Sequence, residues 1–312
     1  MWGRAEFRGA VLALAGVLAL VLIITSTSPG LPGELLLQTL RFHLVVVGLV
    51  LAALLVLLGA KWRALLFVAF LAVSLAHGAY FVLQYADRRT EPAGPLQAEF
   101  TFLNFNVLAS NEEPQRLVNF ITELAPDVAL IMETPGVAGY LPQIQSVLPY
   151  RIGCDEIRTC DISLFSRFPI SNGTVRELPP FRRVRVALAP IEIEGVALTV
   201  VGVHLSKPYF DEASVEELWF VQRVLRGIEG PVVLSGDFNS AIWSGPMGYF
   251  GRSVGLIPGP SYPPTWPVEL GPLGVPIDNV FTIGAARIEE IAAGEDSFGS
   301  NHRYLLARIG LY

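Results

Sequence analysis

The sequence predicts an α/β fold, a two-sheet sandwich with helices outside it, carried behind three membrane-crossing helices. Three observations predict it. The first part of the chain holds long stretches without any charge. In the remainder, short apolar runs of strand length outnumber helical patterns, and hairpins alternate with strand-helix-strand units. Several of those runs stop abruptly at a polar residue, most sharply in Pro231 to Ser240, PVVLSGDFNS.

At 52% hydrophobic content the 312 residues are more apolar than an ordinary soluble domain, which sits nearer roughly 45 to 50% even with glycine included. No charge falls between Arg8 and Glu34, between Arg41 and Lys61, or between Arg63 and Asp87. Each gap can hold the roughly 17 to 25 residues that cross a bilayer as a helix. The spans are placed at 9–25, 42–58 and 64–83, within a membrane anchor of residues 1–86, with Trp2, Trp62, Tyr80 and Tyr85 as interfacial anchors. A signal peptide is the rival reading of the first span, weakened by the two spans after it and by the lack of a small-residue cleavage site. His43 is expected at an interface, and His77 against a neighbouring helix.

Arg4 and Arg8 before the first span, and Lys61 and Arg63 between the second and third, belong on the cytoplasmic side. Three crossings then place everything after Tyr85 outside. Arg88 and Arg89 pull weakly the other way. Cys154 and Cys160, the only cysteines, both lie in this external part. An oxidising compartment would pair them as a disulfide; a zinc site is the rival, but no histidine accompanies them at ligand spacing.

Residues 87–97 contain two prolines and read as a linker. The domain that follows, 98–312, is long enough for one large core. In order, the pattern gives a strand at 100–107, a helix at 114–124 opened by Pro114, and a buried strand at 128–132 running into Glu133. A helix over 139–148 and a strand over 162–165 come next. Strands 183–193 and 196–205 form a hairpin around Glu194-Gly195. A helix at 215–228 precedes the strand of the opening motif, and the tail adds strands at 279–283, 286–291 and 304–309.

The polar residues after these runs are Asn106, Glu133, His204, Asp237 with Asn239, and then Asp278, Asn301 and His302. A bare Asp-x-Asn such as Asp237/Asn239 is by itself most simply an Asx turn closing a strand, and a single Glu or His has an equally plain structural use. Their joint occurrence at strand ends, where α/β proteins keep their chemistry, is the signal. A carboxylate and a carboxamide presented together can take a proton from water and orient the group it attacks.

The ordered segments NFNV, LIMET, SLFSRFPI, VVGVHLS, LSGDFNS, PIDNVF and GSNHRYL resemble the endonuclease/exonuclease/phosphatase (DNase I-like) superfamily over residues 98–312, and the three spans resemble its bacterial membrane-anchored members. The resemblance implies a four-layer sandwich of two mixed β-sheets flanked by helices, preceded by three transmembrane α-helices, and Mg²⁺-dependent (or Mn²⁺-dependent) phosphoester hydrolysis. It implies that Glu133 holds the metal with Asn106 beside it, that His204 contacts the scissile phosphate, and that Asp237 activates the water that Asn239 helps to hold. Asp278 would then orient His302, the donor to the phosphate. The superfamily's usual Ser-Asp-His reads Ser300-Asn301-His302 here, so Asn301 replaces a charged metal or nucleophile contact with a neutral one.

Residues 87–312 carry 17 basic and 26 acidic side chains, a net charge of −9. That balance weighs against duplex DNA, which asks for a basic footprint, although Arg182, Arg183 and Arg185 form a local basic group. The expectation is an integral protein of a bacterial inner or plasma membrane whose extracytoplasmic domain hydrolyses a phosphoester of a lipid headgroup or small molecule. An extracytoplasmic nuclease and a non-catalytic receptor retaining the fold are the alternatives. Lys207 is either a contact to substrate phosphate or a solvated loop lysine. Trp243, Tyr249 and Trp266 are read as a substrate-facing loop or as packing. The expected partners are the phosphoester substrate and the bilayer; no protein partner is predicted.

Overall fold

The computed structural model describes residues 3–156, 160–209 and 213–312. Four helices precede the first strand: α1 (Arg4–Thr27), the short α2 (Glu34–Thr39), α3 (Arg41–Leu57) and α4 (Lys61–Ala86). By length and composition α1 and α4 are able to cross a membrane, while α3 is a shorter apolar helix of 17 residues. The expected spans 9–25 and 64–83 fall on α1 and α4, whereas the expected middle span, 42–58, falls on α3, which is shorter than a candidate span, so two candidate spans are found among the described residues rather than three; Trp2 lies outside the described residues. Leu18, Val45, Leu55 and Leu71 pack between the helices. Buried Arg41 fastens one end of the bundle, donating to Ser26 Oγ (2.9 Å), Ser74 Oγ (3.2 Å) and the Thr25 carbonyl (3.1 Å).

Two six-stranded sheets follow. The first runs β11 (Ala286–Ala293), β12 (Leu305–Leu311), β1 (Ala98–Asn106), β2 (Val128–Met132), β4 (Ile162–Ser166) and β3 (Tyr150–Ile152) across its width. The second runs β5 (Thr174–Leu178), β6 (Arg183–Ile193), β7 (Val196–His204), β8 (Val232–Asp237), β10 (Asp278–Ile283) and β9 (Ile257–Pro258). Among the described residues, only β1 with β2 and β7 with β8 pair in parallel. The inner faces meet in one core that includes Phe100, Phe102, Leu130, Ala187, Val200 and Val233. Strands such as β2 and β8 are buried throughout, because each sheet also carries helices on its outer face.

Helices α5 (Pro114–Leu124) and α6 (Leu141–Gln145) cover the first sheet through Leu117, Ile121 and Ile144. Helices α7 (Ala213–Arg226) and α8 (Gly245–Val254) cover the second through Leu218, Val221, Met247 and Phe250. The continuous helix expected over 139–148 is instead a 3-10 segment, Thr134–Tyr140, followed by α6. Pro142, with no N–H and a ring that crowds the preceding turn, starts a helix rather than continuing one.

Helix α8 falls in the stretch read from sequence as loop. Its glycines hide the helical pattern and serve packing: a Cβ on Gly248 would lie 2.5 Å from the Phe81 ring, and one on Gly251 2.0 Å from the Tyr85 hydroxyl. The end of α4 therefore lies directly on α8. Tyr85, expected at a lipid interface, is buried in the core of the second sheet and donates to the Met247 carbonyl at 2.5 Å. Arg88 donates to the Gly251 carbonyl in the last turn of α8 (2.5 Å), where the helix dipole favours a cation. That use accounts for Arg88, one of the two charges that opposed the expected orientation.

Candidate active site

The C-terminal ends of both parallel pairs, β1/β2 and β7/β8, open at one edge of the sandwich. Register brings the polar residues together there: His204 lies opposite Asp237, and Asp278, at the start of antiparallel β10, lies on the other side of Asp237. Gly236 makes the close approach possible, since a Cβ there would sit 1.8 Å from the Val203 carbonyl oxygen. In the sequence that glycine reads as the start of a turn, but it is a paired strand residue.

Asp237 is the centre. One oxygen, Oδ1, accepts the Asn239 amide at 2.8 Å. The other, Oδ2, accepts from Asn106 Nδ2 (3.1 Å) and lies 3.8 Å from both His204 Nε2 and His302 Nε2. Asn106 also donates to Glu133 Oε1 (3.2 Å), while its own oxygen accepts the Leu108 amide. In this geometry Asn106 is a donor bridging two carboxylates, with its oxygen turned to backbone. Glu133 Oε2 accepts the Ala109 amide at 2.8 Å. His302 Nδ1 is 2.8 Å from Asp278 Oδ2. Ser300 Oγ donates to the Asn106 carbonyl (2.6 Å) and accepts the His302 amide (3.0 Å), tying the last motif to the end of β1. Glu133 (φ 53°) and Asn239 (φ 49°) both hold left-handed backbone, strain that clusters at functional sites.

Asp161 escaped the sequence reading, and Arg185 entered it only as one of a local basic group. Asp161 Oδ1 lies 3.1 Å from His204 Nδ1, and Asp161 Oδ2 forms an ion pair with Arg185. A search for polar residues after apolar runs misses Asp161, because it precedes β4. Antiparallel pairing with β2 brings the start of β4 to the same edge. Cys154 and Cys160 are joined as a disulfide immediately before it. Lys207 is exposed and lines the cavity that Glu133, Asp237 and His302 also line, as does Trp266. Trp243 instead packs edge-on against Phe42 at 4.7 Å, and Tyr249 is exposed on α8.

The electrostatics separate the acids. Burial pushes Asp237 up, and neighbouring Asp278 pushes it further, so it is a stronger base than an ordinary aspartate. Burial also raises Glu133, but the Ala109 amide and His204 more than offset it, holding that carboxyl below the usual range. His302 loses by burial yet is carried up to about 9 by Asp278 and Asp237. Asp161, despite burial, is held low by His204 and Arg185.

The residues fit a divalent cation. Asp237, Asp278 and His302 offer ligand atoms within 4.8 Å of one another. The Asp278 to His302 hydrogen bond already engages two members of that trio, and Glu133 presents a further carboxylate to the same cavity. Two buried acceptors, Asn301 Oδ1 and Asp278 Oδ1, have no hydrogen-bond donor, which a cation or its waters would supply.

Residues 103–302 match the Endonuclease/Exonuclease/phosphatase family, and the chain belongs to it. An endonuclease/exonuclease/phosphatase from Beutenbergia cavernae DSM 12333 superposes with a TM-score of 0.56 at 18% identity, covering 69% of this chain and 72% of that one. Sphingomyelinase C from Streptomyces griseocarneus does so at 0.52 and 15% identity, over 70% and 100%. D. rerio TDP2, complexed with a single-strand DNA product, does so at 0.55 and 15% identity, over 68% and 98%. These likenesses establish the fold. No curated protein sequence matches the chain.

Proposed function

We propose that the protein is a membrane-anchored, divalent-metal-dependent phosphoester hydrolase, with Mg²⁺ the preferred ion and the catalytic domain outside the cytoplasm. The observation that carries this reading is the convergence on Asp237 Oδ2 of Asn106, His204 and His302. Asp237 is positioned to take the proton of an attacking water, and Asn239 to hold that water. Protonated His302, aligned by Asp278, donates to a phosphoryl oxygen or to the departing one. His204, aligned by Asp161, faces the phosphate from the other side. Glu133, with Asn301 nearby, would hold the ion, which supplies charge neutralisation at the phosphate when bound.

The anchor supports the membrane half of the reading. Leu14, Val17, Val46 and Leu66 lie exposed on helices whose inward faces are also apolar, the pattern of helices in lipid. The disulfide agrees with an oxidising exterior. The test uses full-length protein in detergent, assayed with Mg²⁺ on bis-p-nitrophenyl phosphate, beside Asp237→Ala and with chelator. Metal-dependent turnover lost in Asp237→Ala is expected; equal turnover by both proteins would sink the assignment. A C-terminal alkaline phosphatase fusion should be active, and an inactive one would reverse the topology.

A further inference from the structure

The anchor contributes to the catalytic cleft itself. Leu36 and Thr39 of α2 line the same cavity, of about 160 Å³, as Glu133, Asp237, Asn239 and His302. The contact is built in. The Ala241 amide donates to Thr39 Oγ1 (3.1 Å), the Trp243 indole to the Thr39 carbonyl (3.0 Å) and the Gly245 amide to Gln38 Oε1 (2.8 Å). All three donors follow directly on Asp237 and Asn239, so the segment that positions the catalytic pair is seated on α2.

That seat is at the edge of the anchor. Helix α3 begins at Arg41, two residues after Thr39, a rise of only about 3 Å at 1.5 Å per residue. His43, in the first turn of α3, lies 2.6 Å from the Leu273 carbonyl and holds a second rim segment at this level. The leucines there face outward: Leu270 is 48% and Leu273 71% exposed, and Leu31 before α2 is 50% exposed. On the other face of α2, a cavity of about 280 Å³ lined by Leu31, Leu35, Trp219 and Pro246 meets the catalytic one at Pro208.

Away from the anchor the cleft changes character. Arg182, Arg183, Arg185 and Lys207 line a cavity of about 640 Å³ that shares Glu133 and Lys207 with the catalytic one. Arg182 and Arg185 are engaged with Glu177 and Asp161. Arg183 and Lys207 form no ion pair among the described residues. A soluble nucleotide or a nucleic acid gains nothing from an exposed leucine rim, whereas an amphiphile matches both sides.

Resting on the hydrolase reading and on its membrane anchor, we infer that the substrate is a phospholipid of the adjoining leaflet, taken in across α2. Its apolar part stays on the side of Leu31, Leu36 and Leu273. Its headgroup extends toward Arg183 and Lys207, a setting that disfavours a cationic headgroup such as choline. Water adds its oxygen to phosphorus and one P–O ester bond breaks. The proton of the water goes to Asp237 and the departing oxygen receives one from His302, and exchange with solvent restores both groups.

The test compares full-length protein in nanodiscs of phosphatidylglycerol and of phosphatidylcholine with its turnover of soluble bis-p-nitrophenyl phosphate and of plasmid DNA. Phosphatidylglycerol should be cleaved at least tenfold faster than phosphatidylcholine. In Leu36→Glu the ratio of phosphatidylglycerol to soluble-diester turnover should fall at least tenfold. A second readout is independent of activity: with both native cysteines paired, Leu36→Cys labelled with bimane should be quenched by lipids spin-labelled near the headgroup. Turnover of the soluble diester without turnover of phosphatidylglycerol would overturn the lipid assignment alone, as would an unchanged ratio in Leu36→Glu, equal rates on the two lipids, preference for DNA, or no lipid quenching. Failure on every substrate would overturn the hydrolase reading and this one with it.

Discussion

His302 Nδ1 and Asp278 Oδ2 lie 2.8 Å apart, both side chains are almost fully buried, and the opposite ring nitrogen points at Asp237. A protonated imidazole is thereby held between two carboxylates, raised to about 9, with Nε2 on the catalytic side. Asp278→Asn removes the charge while keeping the shape. Turnover of bis-p-nitrophenyl phosphate should fall by about 10²-fold or more, the scale of a lost acid–base contribution. The titration of His302, followed by NMR of the imidazole protons, should move down from about 9 in the same variant. A drop in turnover with an unmoved titration would assign Asp278 a role other than holding the proton on His302.

The same pair sets a pH dependence of folding in the metal-free protein. His302 is raised in the folded state, so its contribution is complete below its unfolded value near 6.5 and is lost as pH rises through about 9. Each unit by which the folded group is raised corresponds to about 1.4 kcal/mol. Asp161 and Glu133 are held low and act in the opposite window: their contributions are present above about pH 4 and fade as pH falls below it. Denaturant unfolding in chelator should therefore show stability declining between about pH 6.5 and 9. His302→Gln should flatten that alkaline limb and leave the acid limb in place. An alkaline limb of equal slope in His302→Gln would mean that another group carries it.

How far the sequence discloses this site follows from which way each strand runs. Asn106, Glu133, His204 and Asp237 end strands of the two parallel pairs, so the abrupt stop of an apolar run points straight at them. Asp161 opens an antiparallel strand and belongs to the same edge without following any apolar run. Arg185 lies inside β6, where the sequence marks it as one of a local basic group but not as a partner of Asp161. The sandwich itself was legible because β2 and β8 are apolar throughout. Edge strands β3, β5 and β9 were not, being short or largely polar. The union of the N-terminal helices with the two-sheet domain was hidden for a different reason: it rests on Gly248 and Gly251 receiving Phe81 and Tyr85, a long-range fit with no local periodicity.

Asp161 should matter through His204. Its Oδ1 faces His204 Nδ1 at 3.1 Å and its backbone carbonyl accepts the Thr134 amide at 3.0 Å, beside Glu133. Asp161→Asn keeps that backbone contact but offers His204 no charge and leaves Arg185 without its partner carboxylate. Turnover should fall about tenfold to a hundredfold, the range seen when a supporting hydrogen bond to a working side chain is lost, with KM changed less than kcat. Asp161→Glu should restore part of the rate. If Asp161→Asn instead raises KM alone, the residue serves substrate binding through Arg185 rather than the alignment of His204.

Tyr85 is the clearest test of whether the N-terminal helices are part of the folding unit. It comes from the last turn of α4, is 1% exposed, stacks on Phe281 with ring centroids 5.8 Å apart, and packs with Phe238, Met247 and Leu256 of the catalytic domain. Removing the ring opens a void in this core on the side where Gly251 supplies only backbone. Tyr85→Ala should therefore cost roughly 3 to 5 kcal/mol, the usual price of deleting a buried aromatic. Tyr85→Phe keeps the ring and loses only the hydrogen bond to the Met247 carbonyl, which should cost about 1 to 3 kcal/mol for a buried acceptor left without its donor. Thermal unfolding of full-length protein in detergent, followed by the near-ultraviolet signal of the catalytic domain, measures both. An order of wild type, Phe and then Ala, with the widest gap at Ala, is expected if the catalytic domain completes its core with the end of α4. Equal midpoints for all three proteins would mean that the two-sheet domain folds indifferently to the N-terminal helices, and that α2 and α4 only rest against it.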